Sequence, residues 1–310
     1  MGISARDIMS NLTQKSEILK ELSKEESNKL KKVLLEMMQD VHNACKIYSI
    51  GYSLHGGTAL GAIRHNGFIP WDDDLDIVMM RDDWERFKQV FDDALGESYI
   101  LEGPNYGNKE TKTYMGKIYK KGTKLIELQD LNTPFEKCIY IDVFIFENVS
   151  DNRFVRKMDA FISDFLKAVT TSQIYYLYPN LLMETYMGQT IKSKVYYKLR
   201  RFLGFLFSFI SHKRLVGIFD NFVSRHPNTT KYITVPTGRE YYMGEILPRS
   251  SWAPLQLIKF EDRLFFCQSD IVGYCRKHYG STYMELPPEG KRERHFCVEL
   301  EFGEESQNKK

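Results

Sequence analysis

Four aspartates fall within five positions, Asp72, Asp73, Asp74 and Asp76, and the chain runs on from them into Ile77, Val78 and Met79. Mutual repulsion and desolvation make such a cluster costly unless something offsets the charge. From Asp74 onward the pattern alternates as a strand does, so Asp74 and Asp76 share one face while Leu75 and Ile77 face the core. Two carboxylates side by side on a rigid strand make a hard-oxygen site for Mg²⁺ or Mn²⁺. The alternative is a solvated turn. What precedes the cluster favours the site. Gly56, Gly57 and Thr58 follow a short strand at 52–55 and open a helical piece that Gly67 breaks. Bare backbone N–H groups there can cradle phosphate.

A third carboxylate completes the pattern. Residues 138–146 (CIYIDVFIF) are β-branched and aromatic and read as the strongest strand in the chain. Asp142 sits alone among them, so it must be paired. Its partner is either a metal already held by the first two carboxylates or a neighbouring loop that it caps. Glycine-rich helix start, aspartate strand, then a third strand carboxylate is the order of the nucleotidyltransferase fold. There, divalent metals clamp a nucleotide's phosphates for in-line displacement.

The remaining chain fits one compact α/β (α+β) domain with helical additions. Leu30, Leu34, Met37, Val41, Cys45 and Tyr48 step by three and four, predicting a helix that ends near Gly51. Asp82, with Glu85 three residues on, reads as a helix cap, with Trp84, Phe87 and Phe91 on one stripe. Residues 114–128 suggest a hairpin turning at 120–123, and 153–225 read as helical. The division expected is an N-terminal helical extension at 1–34, a catalytic domain at 35–302 with a helical basic and aromatic insertion at about 153–225, and a polar tail at 303–310. Five scattered cysteines without CxxC spacing read as free thiols rather than a disulfide framework or zinc ribbon. The N-terminus has no signal-peptide core and no stretch is apolar enough to span a bilayer. A cytoplasmic protein is therefore expected. A net charge of +2 gives no case for nucleic-acid binding.

Residues 54–77 (LHGGTALGAIRHNGFIPWDDDLDI) and 141–144 (IDVF) resemble the core motif of the LicD family. The similarity resumes at Gly244-Glu245-Ile246-Leu247-Pro248, Phe260-Glu261 and Tyr279-Gly280, and at Pro287-Pro288 with Lys291-Arg292 through His295. It covers about residues 35–296, with no motif placed in 150–235. The resemblance implies a nucleotidyltransferase-like mixed sheet and a phosphotransferase. LicD-like proteins move phosphocholine from CDP-choline onto cell-surface glycan precursors (teichoic acid, lipopolysaccharide or capsule), and the related fukutins move ribitol phosphate from CDP-ribitol. By this likeness Asp74, Asp76 and Asp142 hold two Mg²⁺ or Mn²⁺ ions. A sugar hydroxyl attacks the distal phosphorus, CMP leaves, and Asp142 is the candidate general base.

Around the carboxylates, Gly56, Gly57 and Thr58 are candidate phosphate contacts, and so are the cations Arg64, Lys117, Lys291, Arg292 and Arg294. Each of those cations could equally be a surface residue. His65 and His295 are second-shell donors or structural histidines, and Trp71 either packs on a base or choline methyl or belongs to the core. Two other enzyme classes fit the carboxylates: a nucleotidyltransferase moving NMP itself, and a DxD-type glycosyltransferase. A non-enzymatic interaction protein with a degenerate site is the third rival.

Charge is unevenly spread. Residues 72–93 hold nine acids and three bases, and residues 185–219 hold seven bases and no acid. In the second stretch Lys194, Lys198 and Arg201 share a face opposite Leu199, Leu203, Leu206 and Ile210, and Phe202, Phe205, Phe207 and Phe209 follow. A helix at 192–214 lying on an anionic membrane surface fits that pattern, on the inner face of the cytoplasmic membrane where lipid-linked glycan acceptors reside. The alternative is a buried helix with a basic rim.

Overall fold

The computed structural model describes residues 20–107, 111–288, 292 and 296–303. After a two-residue strand β1 (Lys20–Glu21), helix α1 spans Lys24–Ile47. It opens with a capping box. Ser23 accepts a hydrogen bond from the Glu26 N–H, and the Glu26 carboxylate accepts one from the Ser23 N–H. The three-four stepping predicted for it is borne out as far as Cys45, and Leu30, Leu34, Met37, Val41 and Cys45 are buried. Tyr48 is the C-cap instead. The expected boundary between residues 34 and 35 falls inside this helix.

Strand β2 (Ser53–Leu54) leads into α2 (Gly56–His65), and β3 (Asp76–Met80) leads directly into α3 (Arg81–Leu95). Met80, not Asp82, caps α3. Asp82 lies in the first turn, where the helix dipole favours an acid, and its Oδ2 accepts from Asn228. The aromatic stripe of α3 is as predicted. Trp84, Phe87 and Phe91 are fully buried, each contributing about 1.5–3 kcal/mol by removal from water.

Strands β4 (Tyr99–Glu102), β5 (Gly116–Lys120), β6 (Lys124–Glu127) and β7 (Tyr140–Val149) follow. Gly103 and Gly116 have a packing reason: a Cβ on either would lie 2.6 Å from the Trp84 ring. The hairpin expected at 114–128 is not formed. The chain does turn after Lys120, but β5 joins the central sheet while β6 pairs with a distant strand.

Four helices fill the predicted helical stretch: α4 (Arg153–Leu177), α5 (Leu181–Met187), α6 (Ile191–Leu206) and α7 (His212–Val223). Then come β8 (Tyr232–Thr234), α8 (Tyr241–Gly244), β9 (Leu247–Pro248), β10 (Gln256–Phe260), β11 (Arg263–Cys267), α9 (Ile271–Tyr279) and β12 (Phe296–Glu301).

The central sheet has the order β2-β3-β7-β5-β4, with β8 on the far part of β7 and β9 on β8. Its β3–β7 pair is parallel and its other pairs are antiparallel. The β10–β11 hairpin and the β1-β12-β6 sheet stand apart from it. This is the mixed α/β architecture expected. One buried cluster joins α1, the sheet, α3, β11 and α9, and a smaller cluster of Leu128, Met183, Tyr186, Met187 and Tyr197 serves the insertion. All five cysteines are free thiols.

The insertion is locked to the sheet by a buried ion network. The Arg81 guanidinium pairs with Glu147 of β7 and, at 2.7 Å, with Asp220 of α7. All three side chains are almost wholly buried. Removing one member of such a network leaves the others uncompensated at a cost of about 3–5 kcal/mol. Arg81→Met is therefore expected to lose about that much stability in urea unfolding monitored by circular dichroism. A change below about 1 kcal/mol would show that the network does not tie the insertion down.

Candidate active site

Pairing of β3 with β7 places Asp76 directly opposite Asp142 on adjacent parallel strands. The same row continues to Lys117 on β5 and Glu102 on β4, since those positions are also register partners. Directly paired positions project from the same face of a sheet. A charged row of Asp76, Asp142, Lys117 and Glu102 therefore crosses four strands. The Lys117 ammonium lies 2.5 Å from Asp142 Oδ1 and 3.3 Å above the Tyr140 ring, largely buried. Burial pushes the Asp142 carboxyl up, and the charge of Lys117 pulls it back. Lys117 was expected to contact phosphate. It serves instead as counter-ion to Asp142.

Asp74 lies in the loop before β3 rather than within the strand, as does Asp72. The ladder nonetheless begins one residue early, because the Asp142 N–H donates to the Leu75 carbonyl at 3.1 Å. Thr58, expected at the phosphate, accepts a hydrogen bond from the Asp76 N–H at 2.9 Å and is buried. Its hydroxyl fixes the start of β3. The loop carrying the aspartates is pinned from outside by the Lys31 ammonium, which donates to the Ile69 and Pro70 carbonyls. Glu261 also holds it, accepting from the Phe68 N–H.

The two glycines at the start of α2 are needed for closeness. A Cβ on Gly56 would stand 2.5 Å from Asp76 Oδ2, and one on Gly57 would stand 2.6 Å from Asp72 Oδ2. Gly56 also has φ +52°, a region that favours glycine. The helix start and the carboxylates thus share the wall of one cleft of about 650 Å³. Arg64, Trp71, Asp72, Asp74, Asp76 and Arg292 are among the residues lining it. Asp142 and Lys117 stand next to Asp76 in the same row and are not among the residues lining the cleft.

Arg64 donates to the Tyr283 and Glu285 carbonyls at 3.0 and 3.2 Å and to His65 Nε2 at 3.0 Å. Two guanidinium groups lie over the Trp71 ring, Arg292 at 4.4 Å and Arg64 at 5.9 Å. His65 meets it edge-on. Lys291, Arg294 and His295 lie outside the described residues.

Several cleft residues escaped sequence reasoning. Asp72 is the first. Burial and the charges of Asp74, Asp76 and Asp73 push its carboxyl well above the ordinary range. His55 is the second: its ring packs on Phe144 and Tyr274, and burial lowers its pKa to about 3, so it is neutral. The Tyr274 hydroxyl accepts from the Gly56 N–H at 2.9 Å. His278 stacks on Tyr274 one turn along α9 and has its pKa lowered to about 4, mainly by burial. Glu245 lies 3.5 Å from it. The i,i+4 spacing of Tyr274 and His278 was visible in the sequence, but nothing local ties it to residues two hundred positions away.

The donors suit a hard divalent cation in kind, because clustered carboxylates that raise one another's pKa are what such an ion relieves. Among the described residues, however, no three His, Cys, Asp or Glu side chains are gathered as a ready-made metal cage. Asp142 is engaged by Lys117.

A family model described as LicD/FKTN/FKRP, nucleotidyltransferase domain, matches residues 49–174. That span contains α2, the aspartate loop, β3 and β7. This part of the chain is similar to the LicD family's nucleotidyltransferase domain. The chain is 26% identical over 279 residues to the lipopolysaccharide cholinephosphotransferase LicD of Haemophilus influenzae, covering 86% of this chain and 94% of that protein. An uncharacterised protein of Rickettsia prowazekii is 42% identical over 95 residues, 30% of this chain and 36% of the other. One of Rickettsia typhi is 46% identical over 57 residues, 18% of each chain.

The buried Lys117–Asp142 pair gives a prediction. Lys117→Met strands a buried carboxylate and is expected to lower stability by about 3 kcal/mol. Adding Asp142→Asn should recover most of that loss in chemical denaturation. Additive losses in the double variant would mean that the two groups are not coupled.

Proposed function

We propose that this protein is a metal-dependent phosphotransferase. In this reading it moves phosphocholine, or a similar alcohol phosphate, from a CDP-activated donor to a hydroxyl of a cell-surface glycan or of its lipid-linked precursor, and CMP leaves. The observation that carries the reading is the meeting of the Gly56-Gly57 helix start with Asp76 and Asp72 on one cleft wall, with Asp142 in register beside Asp76 on the next strand. The match of residues 49–174 to the LicD/FKTN/FKRP family model and the name of the Haemophilus relative support the choice of group transferred.

Mg²⁺ or Mn²⁺, two ions by likeness to the family, would be held by Asp74, Asp76 and Asp142 and would neutralise the donor's pyrophosphate. The chain's own groups do the remaining work. The Gly57 backbone and the first turn of α2 offer N–H groups to an anion at the cleft wall. Arg292 and Arg64 line the same cleft and place positive charge beside the donor's phosphates. Trp71, with both guanidinium groups over its ring, would receive a base or a quaternary ammonium only where Arg292 or Arg64 moves to the donor's phosphates.

The acceptor oxygen forms a bond to the distal phosphorus as the bond to the bridging oxygen breaks, and CMP takes the electron pair. Asp142 is assigned the acceptor's proton, with Lys117 holding its Oδ1 in place. His55, neutral beneath the glycine turn, keeps positive charge away from the metal-binding carboxylates.

The direct test is CMP release from a panel of CDP-alcohols with Mg²⁺. One CDP-alcohol should release CMP well above the others, and a chelator should abolish the release. Asp76→Asn is expected to reduce it by about 10³-fold, the order expected for several kcal/mol of lost charge stabilisation. Pyrophosphate from a nucleoside triphosphate in place of CMP would overturn the reading in favour of nucleotidyl transfer. In a second arm, Gly56→Ala, which drives a methyl group into Asp76 at an unfavourable φ, should lower turnover at least about tenfold in the fraction that remains folded, at a stability cost of about 1–2 kcal/mol. Asp142→Asn with metal binding and turnover both intact would remove Asp142 from both roles.

A further inference from the structure

Helix α4 exposes Phe154, Met158, Phe161 and Phe165, spaced by four, three and four, on the face opposite its buried Ser163. The first and third of these aromatics are 73% and 70% exposed. Helix α6 packs against the second half of α4 through Gly204, whose backbone meets the Ser172 carbonyl so closely that a Cβ could not be accommodated. The face of α6 turned away from that contact carries Ile191, Val195, Leu199, Phe202 and Leu206, all exposed. Phe165 and Phe207 meet edge to face at 6.0 Å, and Phe209 beyond them is 81% exposed. The α4 stripe thus meets the end of α6 at Phe207, and both helices expose apolar side chains.

Their border is basic. Arg153, Lys157, Lys192, Lys194 and Lys198 are exposed, and every acidic residue of α4 is at least partly buried, while α6 has none. The buried helix with a basic rim, weighed from the sequence, is thereby excluded. The basic helix reaches solvent on its apolar side, and a second helix that sequence reasoning had left without a role extends the surface. No helix among the described residues is long and apolar enough to cross a membrane.

We propose that the α4–α6 face docks on an anionic lipid bilayer, with the phenylalanines in the acyl boundary and the lysines and arginines at the head groups. Apolar surface alone would serve another protein equally well. Five exposed cations on two helices that themselves expose no acid select a surface that is negative and deformable, and the nearest exposed acids, Asp151 and Glu184, lie off α4 and α6. Docking is also connected to the cleft. The Lys167 ammonium, on α4, donates to the Thr237 and Gly238 carbonyls at 3.0 and 2.9 Å, and Gly238 to Glu240 line the cleft. A bilayer on this face would set the orientation of that wall towards a lipid-linked acceptor, a consequence that rests on the phosphotransfer reading.

The test is co-sedimentation of the full chain with phosphatidylcholine vesicles, with and without phosphatidylglycerol. Binding is expected only with the anionic lipid and should weaken as salt rises. Phe161→Ser combined with Phe205→Ser and Phe209→Ser, all exposed positions, should cut the partition coefficient at least about tenfold without altering the melting temperature. Lys194→Glu with Lys198→Glu should do the same by charge alone. No binding to anionic vesicles at low salt, or equal binding by both variants, overturns the proposal. So does a dimer in sedimentation velocity that the serine variant dissociates, since a second copy would then cover the face. Vesicle binding needs neither donor nor acceptor, so it fails or succeeds independently of CMP release.

Discussion

The parallel pairing of β3 and β7 is the constraint on which the rest of the structure depends. It sets two carboxylates side by side at strand spacing, about 4.8 Å, in a partly dry setting where like charges repel strongly. The fold answers from three directions. Lys117 approaches from β5 and neutralises Asp142. The start of α2 brings its partial positive charge against Asp76 and Asp72, and only glycine permits that distance. On the remaining side Asp76 and Asp72 face the cleft, with Arg64 and Arg292 among its lining. Antiparallel neighbours β2 and β5 then follow from holding these two strands in register.

The half of the site made by local sequence was legible, and the half made by long-range contact was not. Glycine pair, aspartate run and isolated strand aspartate each carry a period or a composition that breaks the local rule, which is how functional positions show themselves. Asp76 opposite Asp142 follows from reading both as strands. Lys117 misled because a lone lysine in a strand looks like a surface cation. Only the β5–β7 register reveals that it faces Asp142. Tyr274 and His278 were equally hidden, since they reach Gly56 and His55 across more than two hundred residues of chain. Asp82 failed as a cap for a local reason: β3 enters α3 with no intervening loop, so the cap position falls on Met80.

The insertion shows a similar division. Its helices were legible from periodicity, and so was the excess of positive charge along α6. The outward face of α4 was not, because its aromatics at positions 154, 158, 161 and 165 have the spacing of an ordinary core stripe. Which side of a helix is core depends on what packs against it. Here the small residues Ala160 and Ser163 mark the buried side of α4, while α6, through Gly204 on Ser172, covers the second half of the helix.

The Arg81 network has a consequence for how this chain could have been assembled. An insertion joined to its host only by two chain crossings can be gained or lost as a module. Here one guanidinium, at the junction of β3 and α3, is shared between a central strand and the last helix of the insertion. A shortened chain lacking 153–225 would keep Arg81 paired with Glu147 and Glu85 and lose only the Asp220 carboxylate, so the guanidinium would stay compensated. What such a chain would lose is the tie between strand and helix, not the charge balance at position 81.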